Sequence, residues 1–410
     1  MSIEMPKSLE TTTTHVVNGQ EMGESAKWDA FVQNHAAAHL LQASAWGQLK
    51  SHFGWTSRTI VDGPTQINQG ALLLFRSMLP GRLARVLPVL PHSLLSVGTQ
   101  IAYIPKGPLV DWHDHSATAN FLAQTEAVCR KEGAALLKIE PDLPDTPANR
   151  KLLQGYGFVA SQQNVQPQST IILDIVDDEE VILQRMKSKW RYNIRLAKRK
   201  EVEVRACTAA DLPAFHQLMQ ETGLRDGFHV HSAEYFNAAF HLLVPDKAVY
   251  LLAEYRGEPL AAIVVCITGK TAWYLWGASS NRERNRMPNH ALQWAAIRWA
   301  RAHGATRYDL WGIPDEVGQM ALTIDELSDE SSEVGVPVDK IPLDLQALPK
   351  GELWGVYRLK QGFGGNVVRF VGAWDKPLDP IGYGLYKTGY RLQKFWTARQ
   401  NQQNLTQYNS

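Results

Sequence analysis

A chain of 410 residues with 42 Lys/Arg against 41 Asp/Glu carries a net charge of +1, which excludes bulk attraction to nucleic acid, and its length favours two or three domains. The hydrophobic content of 44% is that of an ordinary soluble globular chain. Cys129, Cys207 and Cys266 lie too far apart for a disulfide framework or a zinc site, and they read as buried thiols in a reducing compartment.

The first 24 residues are rich in Ser, Thr and Glu, lack a basic-then-apolar signal pattern, and predict a disordered tail; residues 396–410 read as a polar tail. No apolar run approaches the roughly 18 residues of a spanning helix. The nearest, Ala71–Val97, is broken by Arg76, Arg82, Arg85 and three prolines. It reads as strand plus loop, or as a surface that touches a membrane.

From Trp28 the pattern becomes structured. Two short helices are expected, the second carrying Trp46, Leu49 and Phe53 on one face and closed by Gly54. Strands follow at Thr56–Val61, Gly70–Arg76 and Ile101–Ile104, then a helix over Ala117–Glu132 stopped by Gly133, and the strand ALLKIEP. Gly155–Phe158 is expected to open a hairpin, with a further strand at Thr170–Ile175. Next comes KSKWRYNIRLAKRK, with seven Lys/Arg and no acid between Lys187 and Lys200. Met186, Trp190, Ile194 and Ala197 recur at helical spacing, so this is an amphipathic helix with one basic face. That face suits a polyanion, or else is a solvated face on a linking helix.

The order of elements then repeats. Helices are expected at Thr208–Thr222 and Ser232–Leu243, a hairpin at Tyr250–Tyr255 and Pro259–Thr268, a strand at Thr271–Trp276, a helix over Asn289–His303 stopped by Gly304, and the strand TRYDLWGI. Tyr103 to Gly133 and Tyr274 to Gly304 are both 30 residues. Gly157-Phe158 matches Gly362-Phe363 if about 34 residues are inserted in the second copy. Acidic Asp315–Lys350, with three prolines, reads as that insertion and as a long flexible loop. The pattern predicts an α/β (α+β) protein of two tandem domains, 25–178 and 179–395, each with a mixed sheet and with a cleft between them.

Several stretches together resemble the FemABX family of peptidoglycan bridge-forming aminoacyltransferases: LLQASAWGQLK, AYIPKGPLVDW, KIEPDLP, QPQSTIILDI, KWRYNIRLAKRK, ETGLRDGFHVHSAEYF, AWYLWGASSNRERNRMPNHALQW, ATRYDLWGI and YRLKQGFGGNVVRFVGAWDKPL. The resemblance runs from about Phe31 to Tyr390. It implies two domains like the Gcn5-related acyltransferase fold and transfer of an amino acid from aminoacyl-tRNA to the stem peptide of a peptidoglycan precursor, nucleotide- or lipid-linked. No cofactor is implied; aminoacyl-tRNA is the co-substrate. The expected location is the cytoplasm, with peripheral contact at the inner face of the membrane. Without sustained heptads the chain resembles the form that lacks a coiled-coil arm. It departs from the family in the length of its acidic insertion and in Leu359, where an aromatic residue often precedes the lysine.

Aminolysis of an activated ester needs no protein nucleophile. It needs positioning, a cation for the oxyanion and a route for a proton. By resemblance Lys360 contacts the acceptor end of the tRNA and the oxyanion, as a fixed ammonium that keeps its proton. Lys50 and Arg225 resemble the positions that hold the precursor's diphosphate. Tyr103, Tyr274 and Trp276 are candidates to line the cleft, or else core aromatics. Asp111 is a candidate acceptor or anchor for the attacking ammonium. The pairs His113/His115 and His229/His231 read as polar surface or strand positions, and no metal site is expected. Two rivals remain. A coenzyme-A-dependent N-acyltransferase needs a Gly-rich pyrophosphate loop, yet Asn281–Asn289 and Asp111–Ala117 have no glycine. A non-catalytic RNA-binding protein would rest on the basic helix alone.

Overall fold

A computed structural model describes residues 24–63, 66–78, 98–327, 335–349 and 352–391. Both expected tails, and most of the Ala71–Val97 stretch beyond its strand, lie outside the described residues. Helices α1 (Glu24–Asn34) and α2 (Ser44–His52) open the fold. The first sheet uses β1 (Thr56–Val61), β2 (Gly70–Ser77), β3 (Gln100–Pro105), β4 (Ala134–Glu140) and β5 (Val159–Ala160). Helix α3 (His115–Lys131) crosses from β3 to β4, capped by the Asp114 carboxylate on the Ala117 N–H, and Gly133 ends the turn at φ +71°. Helix α4 (Pro147–Gly155) was not expected. Thr146 caps it and proline takes its first position, where a missing N–H costs nothing.

After β6 (Ser169–Asp174) come α5 (Glu179–Arg185), α6 (Ser188–Arg199), β7 (Glu203–Ala206), α7 (Leu212–Asp226) and α8 (Ala233–Leu243). Then follow β8 (Ala248–Tyr255), β9 (Glu258–Thr268), β10 (Thr271–Ser279), α9 (Pro288–Ala302) and β11 (Arg307–Gly312). The acidic insertion is no simple loop. It starts as helix α10 (Asp315–Leu327), with Val317 and Ala321 buried one turn apart, and goes on through β12 (Val336–Pro337). Val338, Ile341 and Leu348 join the same core. Apolar spacing at i, i+4 lay within the acidic composition, and burial against the sheet outweighs it. Helix α11 (Glu352–Lys360), β13 (Asn366–Arg369) and β14 (Trp374–Pro377) complete the second half.

The two sheets share one plan. The first runs β1-β2-β3-β4-β14-β5; the second contains β8-β9-β10-β11-β6-β13, flanked by β7 and β12. In each, two antiparallel neighbours lead to one parallel pair, β3/β4 or β10/β11, and two further antiparallel neighbours follow. Strands β3 and β10 hold equivalent places, as the Tyr103/Tyr274 spacing predicts.

The halves exchange a strand. β6 lies between β11 and β13 of the second sheet, and β14 lies between β4 and β5 of the first. The sheets therefore do not divide at residue 178. The hairpin expected after Gly155–Phe158 does not form, because β5 pairs with β14 and β6 is in the other sheet. The halves also share a core. Trp28, Leu40, Leu49, Leu72 and Tyr103 pack in one cluster with Phe215, Phe236, Tyr250, Trp273 and Leu275. Exchanged strands and a common core join the two halves.

Candidate active site

The parallel pair β10/β11 holds together only over Thr271–Trp273 and Arg307–Asp309. Beyond that, β10 stays with β9 and β11 reaches Gly312 beside β6. The equivalent pair β3/β4 stays closed as far as Pro105 and Glu140. Where the strands part, Lys360 extends its ammonium to the Gly312 carbonyl at 2.6 Å, 5.5 Å from the centre of the Tyr274 ring. Its side chain is 4% exposed. Burial pushes the ammonium down to about 7, against the pull of the Asp309 carboxylate. A lysine titrating near neutrality differs from the fixed ammonium expected from the sequence.

Three features hold this lysine. The Trp190 ring of α6 packs where any Gly362 side chain would stand, about 2.0 Å from a Cβ, and its N–H donates to the Leu359 carbonyl at 2.9 Å. The Lys187 N–H donates to the Gly362 carbonyl at 2.9 Å, and the Lys187 ammonium to the Gln361 amide oxygen. Asn193 meets His290 of α9 at 3.1 Å, and Ala197 is buried. The inner face of the basic helix thus clamps the Lys360 turn, while Lys189, Arg195, Lys198 and Arg199 face outward.

Beside Gly312 lies a small polar void lined by His39, Lys106, Asp142, Thr170, Asp309 and Trp311. Lys106 pairs with Asp142 at 2.8 Å. Asp309 accepts from the Thr170 hydroxyl and from the Trp311 N–H at 2.7 Å, and burial raises its pKa. The His39 ring stands 4.4 Å from Trp273 and 5.9 Å from Trp311, and burial pushes it down to about 3, so it is neutral. Trp311 has φ +63°, a strained conformation for so bulky a residue. Asp309 also lines an open cleft of about 1360 Å³, with Lys187, Trp273, Gln361 and Phe363. Ala36, Ala37, His113 and Pro144 separate it from a second cleft of about 1260 Å³. Both clefts are walled by segments of the two halves; of the residues expected from the sequence to line a cleft or carry the chemistry, only Asp111 lines either one.

The other candidates divide into groups along β10. Lys50 donates to the Tyr235 hydroxyl at 3.1 Å and sits 4.8 Å from the Trp46 ring, with Tyr235 reaching across from α8. Burial, with Arg76 adding to it, pushes its ammonium down to about 8. Trp276 meets Tyr235 at 5.9 Å and Phe236 at 5.3 Å, and so joins the Lys50 group. His231 belongs here too, stacked on Tyr235 at 4.0 Å in the loop before α8. Tyr103 is buried; it donates to Glu140 and accepts from the Gln166 amide at 3.1 Å. Trp55, 6.3 Å from Tyr103 and under Arg76 at 5.4 Å, links it to the Lys50 group.

Arg225 lies near the far end of β10, donating to the Ser279 carbonyl at 2.6 Å and forking onto Asp226 at 2.8 and 2.9 Å. An anion at this residue therefore competes with Asp226. Asp111 is not brought to Lys360. It is exposed, accepts from the His113 N–H at 3.0 Å, and lines the second cleft. Sequence reasoning gave no role to Asp309, Asp142, Lys106, His39 or Tyr235. The only signal was that they sit inside or beside the motifs KIEPDLP, AYIPKGPLVDW, ATRYDLWGI and SAEYF.

Part of the segment where an acyltransferase of this fold would cradle a pyrophosphate is satisfied internally. The Ser280, Asn281 and Arg282 N–H groups donate to the Leu260 carbonyl, the Glu221 carboxylate and the Ser280 hydroxyl. Arg286 and Met287 close a local turn, and Pro288 has no N–H to offer.

Two mixed sheets of one plan, each with a single parallel pair, give a tandem fold of the GNAT type. A GNAT acetyltransferase domain model matches residues 184–317, and the FemAB family model matches 24–151 and 251–391. The chain belongs to the FemAB family and is an acyltransferase. It is 28% identical over 356 residues to the lipid II:glycine glycyltransferase of Staphylococcus saprophyticus, covering 69% of this chain and 82% of that one. To the enzyme of that name from Staphylococcus aureus it is 26% identical over 365 residues, covering 70% and 83%. A crystal structure of FemX shares the fold, with a TM-score of 0.70 and 22% identity over 90% of this chain and 98% of that one. Among the described residues no helix is long and apolar enough to cross a membrane.

Proposed function

We propose that this protein transfers an amino acid from aminoacyl-tRNA to the stem-peptide amine of a peptidoglycan precursor, with glycine, named for both relatives, as the first donor to test. The observation that carries this reading is a buried lysine at the open end of a GNAT-type parallel pair, in a FemAB chain whose segment Asn281–Asn289 has no glycine and contains Pro288. The amine attacks the ester carbonyl, and the Lys360 ammonium receives the oxyanion in place of the Gly312 carbonyl. The C–O bond to ribose then breaks. With its pKa near 7, Lys360 can pass its proton to the departing ribose oxygen and take back the one released by the new amide nitrogen. Tyr274 walls the site against water, and Trp311 and Asp309 fix the Gly312 carbonyl.

Lys50, with Arg76, is the proposed seat of the precursor's diphosphate, and Arg225 a further contact once Asp226 is displaced. Lys50 is charged below about 8 and loses its proton above it. The KM for the precursor is therefore expected to rise as pH climbs from 7 to 9, and to stay flat in Lys50→Arg, whose guanidinium does not titrate there. Steady-state kinetics at fixed donor checks this; equal slopes for both proteins would remove Lys50 from the phosphate site. Incubation with charged tRNA and each precursor form should add one amino-acid residue to the stem, read by mass spectrometry. No addition with any pair, or acetylation from acetyl-coenzyme A, would overturn the reading.

A further inference from the structure

The last described helix, over residues 380–391, leaves two large apolar side chains in water: Ile381 is 64% exposed and Leu385 61%. They stand one turn apart on the outer face. The opposite face is seated on the first sheet. Gly382 packs against the Gly98 carbonyl, 2.3 Å from where a Cβ would be, and Tyr383 reaches the Asp375 carboxylate at 3.4 Å. Asp379 fixes the start of the helix, accepting from the Gly98 N–H at 2.5 Å and the Ile381 N–H at 3.0 Å. The apolar stripe is thus held outward on a rigid support.

After Asp379 at its start, the charge along the helix has one sign. From Pro380 to Ser410 the sequence has no acid, and Lys387, Arg391, Lys394 and Arg399 are its charged residues. The apolar spacing of Ile381 and Leu385 continues in the sequence at Leu392 and Trp396. The helix begins beside Gly98, where a second acid-free stretch, Gly63 to Val110, re-enters the described fold. Two exposed apolar side chains and the exposed Arg391 thus share this helix.

We infer that this helix face is the surface by which the protein lies on an anionic lipid membrane, with Ile381 and Leu385 entering the headgroup boundary and the exposed Arg391 meeting lipid phosphates. An apolar stripe followed by cations fits that boundary. It does not suit nucleic acid, which has no apolar layer to receive Ile381 and Leu385. The aminoacyl-transfer reading is deepened through a lipid-linked acceptor, but vesicle binding does not rest on it.

The test is sedimentation of the full chain with vesicles of phosphatidylglycerol and phosphatidylcholine, and with phosphatidylcholine alone, without tRNA or precursor. Binding is expected to the anionic vesicles only and to weaken with salt. The double variant I381S/L385S, at an exposed face, should fold as wild type and bind roughly tenfold or more weakly. Its transfer to a soluble nucleotide-linked precursor should be unchanged, while transfer to the same precursor in vesicles falls. Equal vesicle binding by variant and wild type, no binding to anionic vesicles, or a dimer in solution that the double variant abolishes would overturn the proposal. Vesicle binding without any amino-acid transfer would overturn the catalytic reading and leave this surface standing.

Discussion

Lys360→Met is expected to lower turnover by roughly 10²–10³-fold, the usual cost of removing one oxyanion donor, with little change in precursor affinity. The precursor's diphosphate is assigned to Lys50, in the Tyr235–Trp276 group rather than beside Lys360, so ground-state binding is largely spared. The same substitution should stabilise the fold at neutral pH. The folded-state pKa of about 7 lies below the ordinary 10.5. Between these values the unfolded chain holds more protons than the folded one, so wild-type stability rises with pH, by up to about 1.4 kcal/mol per unit. Below about 7 the penalty is fully present. Methionine carries no such penalty but leaves the Gly312 carbonyl without its donor, a cost of about 1–3 kcal/mol. The variant should therefore gain about 1–3 kcal/mol at pH 7 and lose that advantage by pH 10. Denaturant melts at the two pH values check this; a pH-independent difference would mean that Lys360 is not buried as described. A site that forgoes stability to keep a desolvated cation is a common sign of function.

Asp375→Ala tests the exchanged strand. Asp375 on β14 pairs with Lys138 on β4 at 2.6 Å, with both side chains almost wholly buried. Ser161 donates to the same carboxylate at 2.9 Å. Removing the carboxylate leaves a buried ammonium with no counter-charge, which costs about 3–5 kcal/mol. A pair of apolar replacements, Lys138→Met with Asp375→Leu, should recover most of that loss, because burying neither charge avoids the desolvation. β14 follows the second half in sequence but belongs to the first sheet, so the loss should appear as one shifted transition for the whole chain. Two separated transitions, or a loss under about 0.5 kcal/mol, would contradict the exchange.

The repeat was legible in the sequence because its markers are local. Tyr103 and Tyr274 each stand fourth in a strand, β3 and β10, and Gly133 and Gly304 stop helices at φ +71° and +83°, conformations that glycine adopts freely. The exchange was not legible. β6 and β14 each carry an ordinary strand pattern, and nothing local tells which sheet a strand will join. The acidic insertion misled through composition: Val317 and Ala321 give α10 its buried face despite Asp315, Glu316, Asp325 and Glu326 around them. The resemblance pointed to Lys360, Lys50 and Arg225, and the repeat to Tyr103, Tyr274 and Trp276; Lys360 lies beside Tyr274 on β10, while Lys50 reaches Trp276 only through Tyr235. Neither could show that burial would pull Lys360 to about 7. Desolvation there depends on Trp190, Gly312 and Asp309, which come from three distant parts of the chain. Asp111 was chosen for its place after PKGPLV, but its carboxylate turns back to its own loop, as aspartates in turns commonly do.

The central claim is that the lysine at the opening of the β10/β11 pair serves aminoacyl transfer. Its most direct test is a single-turnover reaction with glycyl-tRNA and a stem-peptide precursor at pH 7.5, followed by mass spectrometry, for wild type and Lys360→Met. The account predicts one added glycine residue with wild type and a rate lower by about two orders of magnitude or more with the variant. Equal rates for the two proteins, or no added residue with glycyl-tRNA or any other charged tRNA, would contradict it.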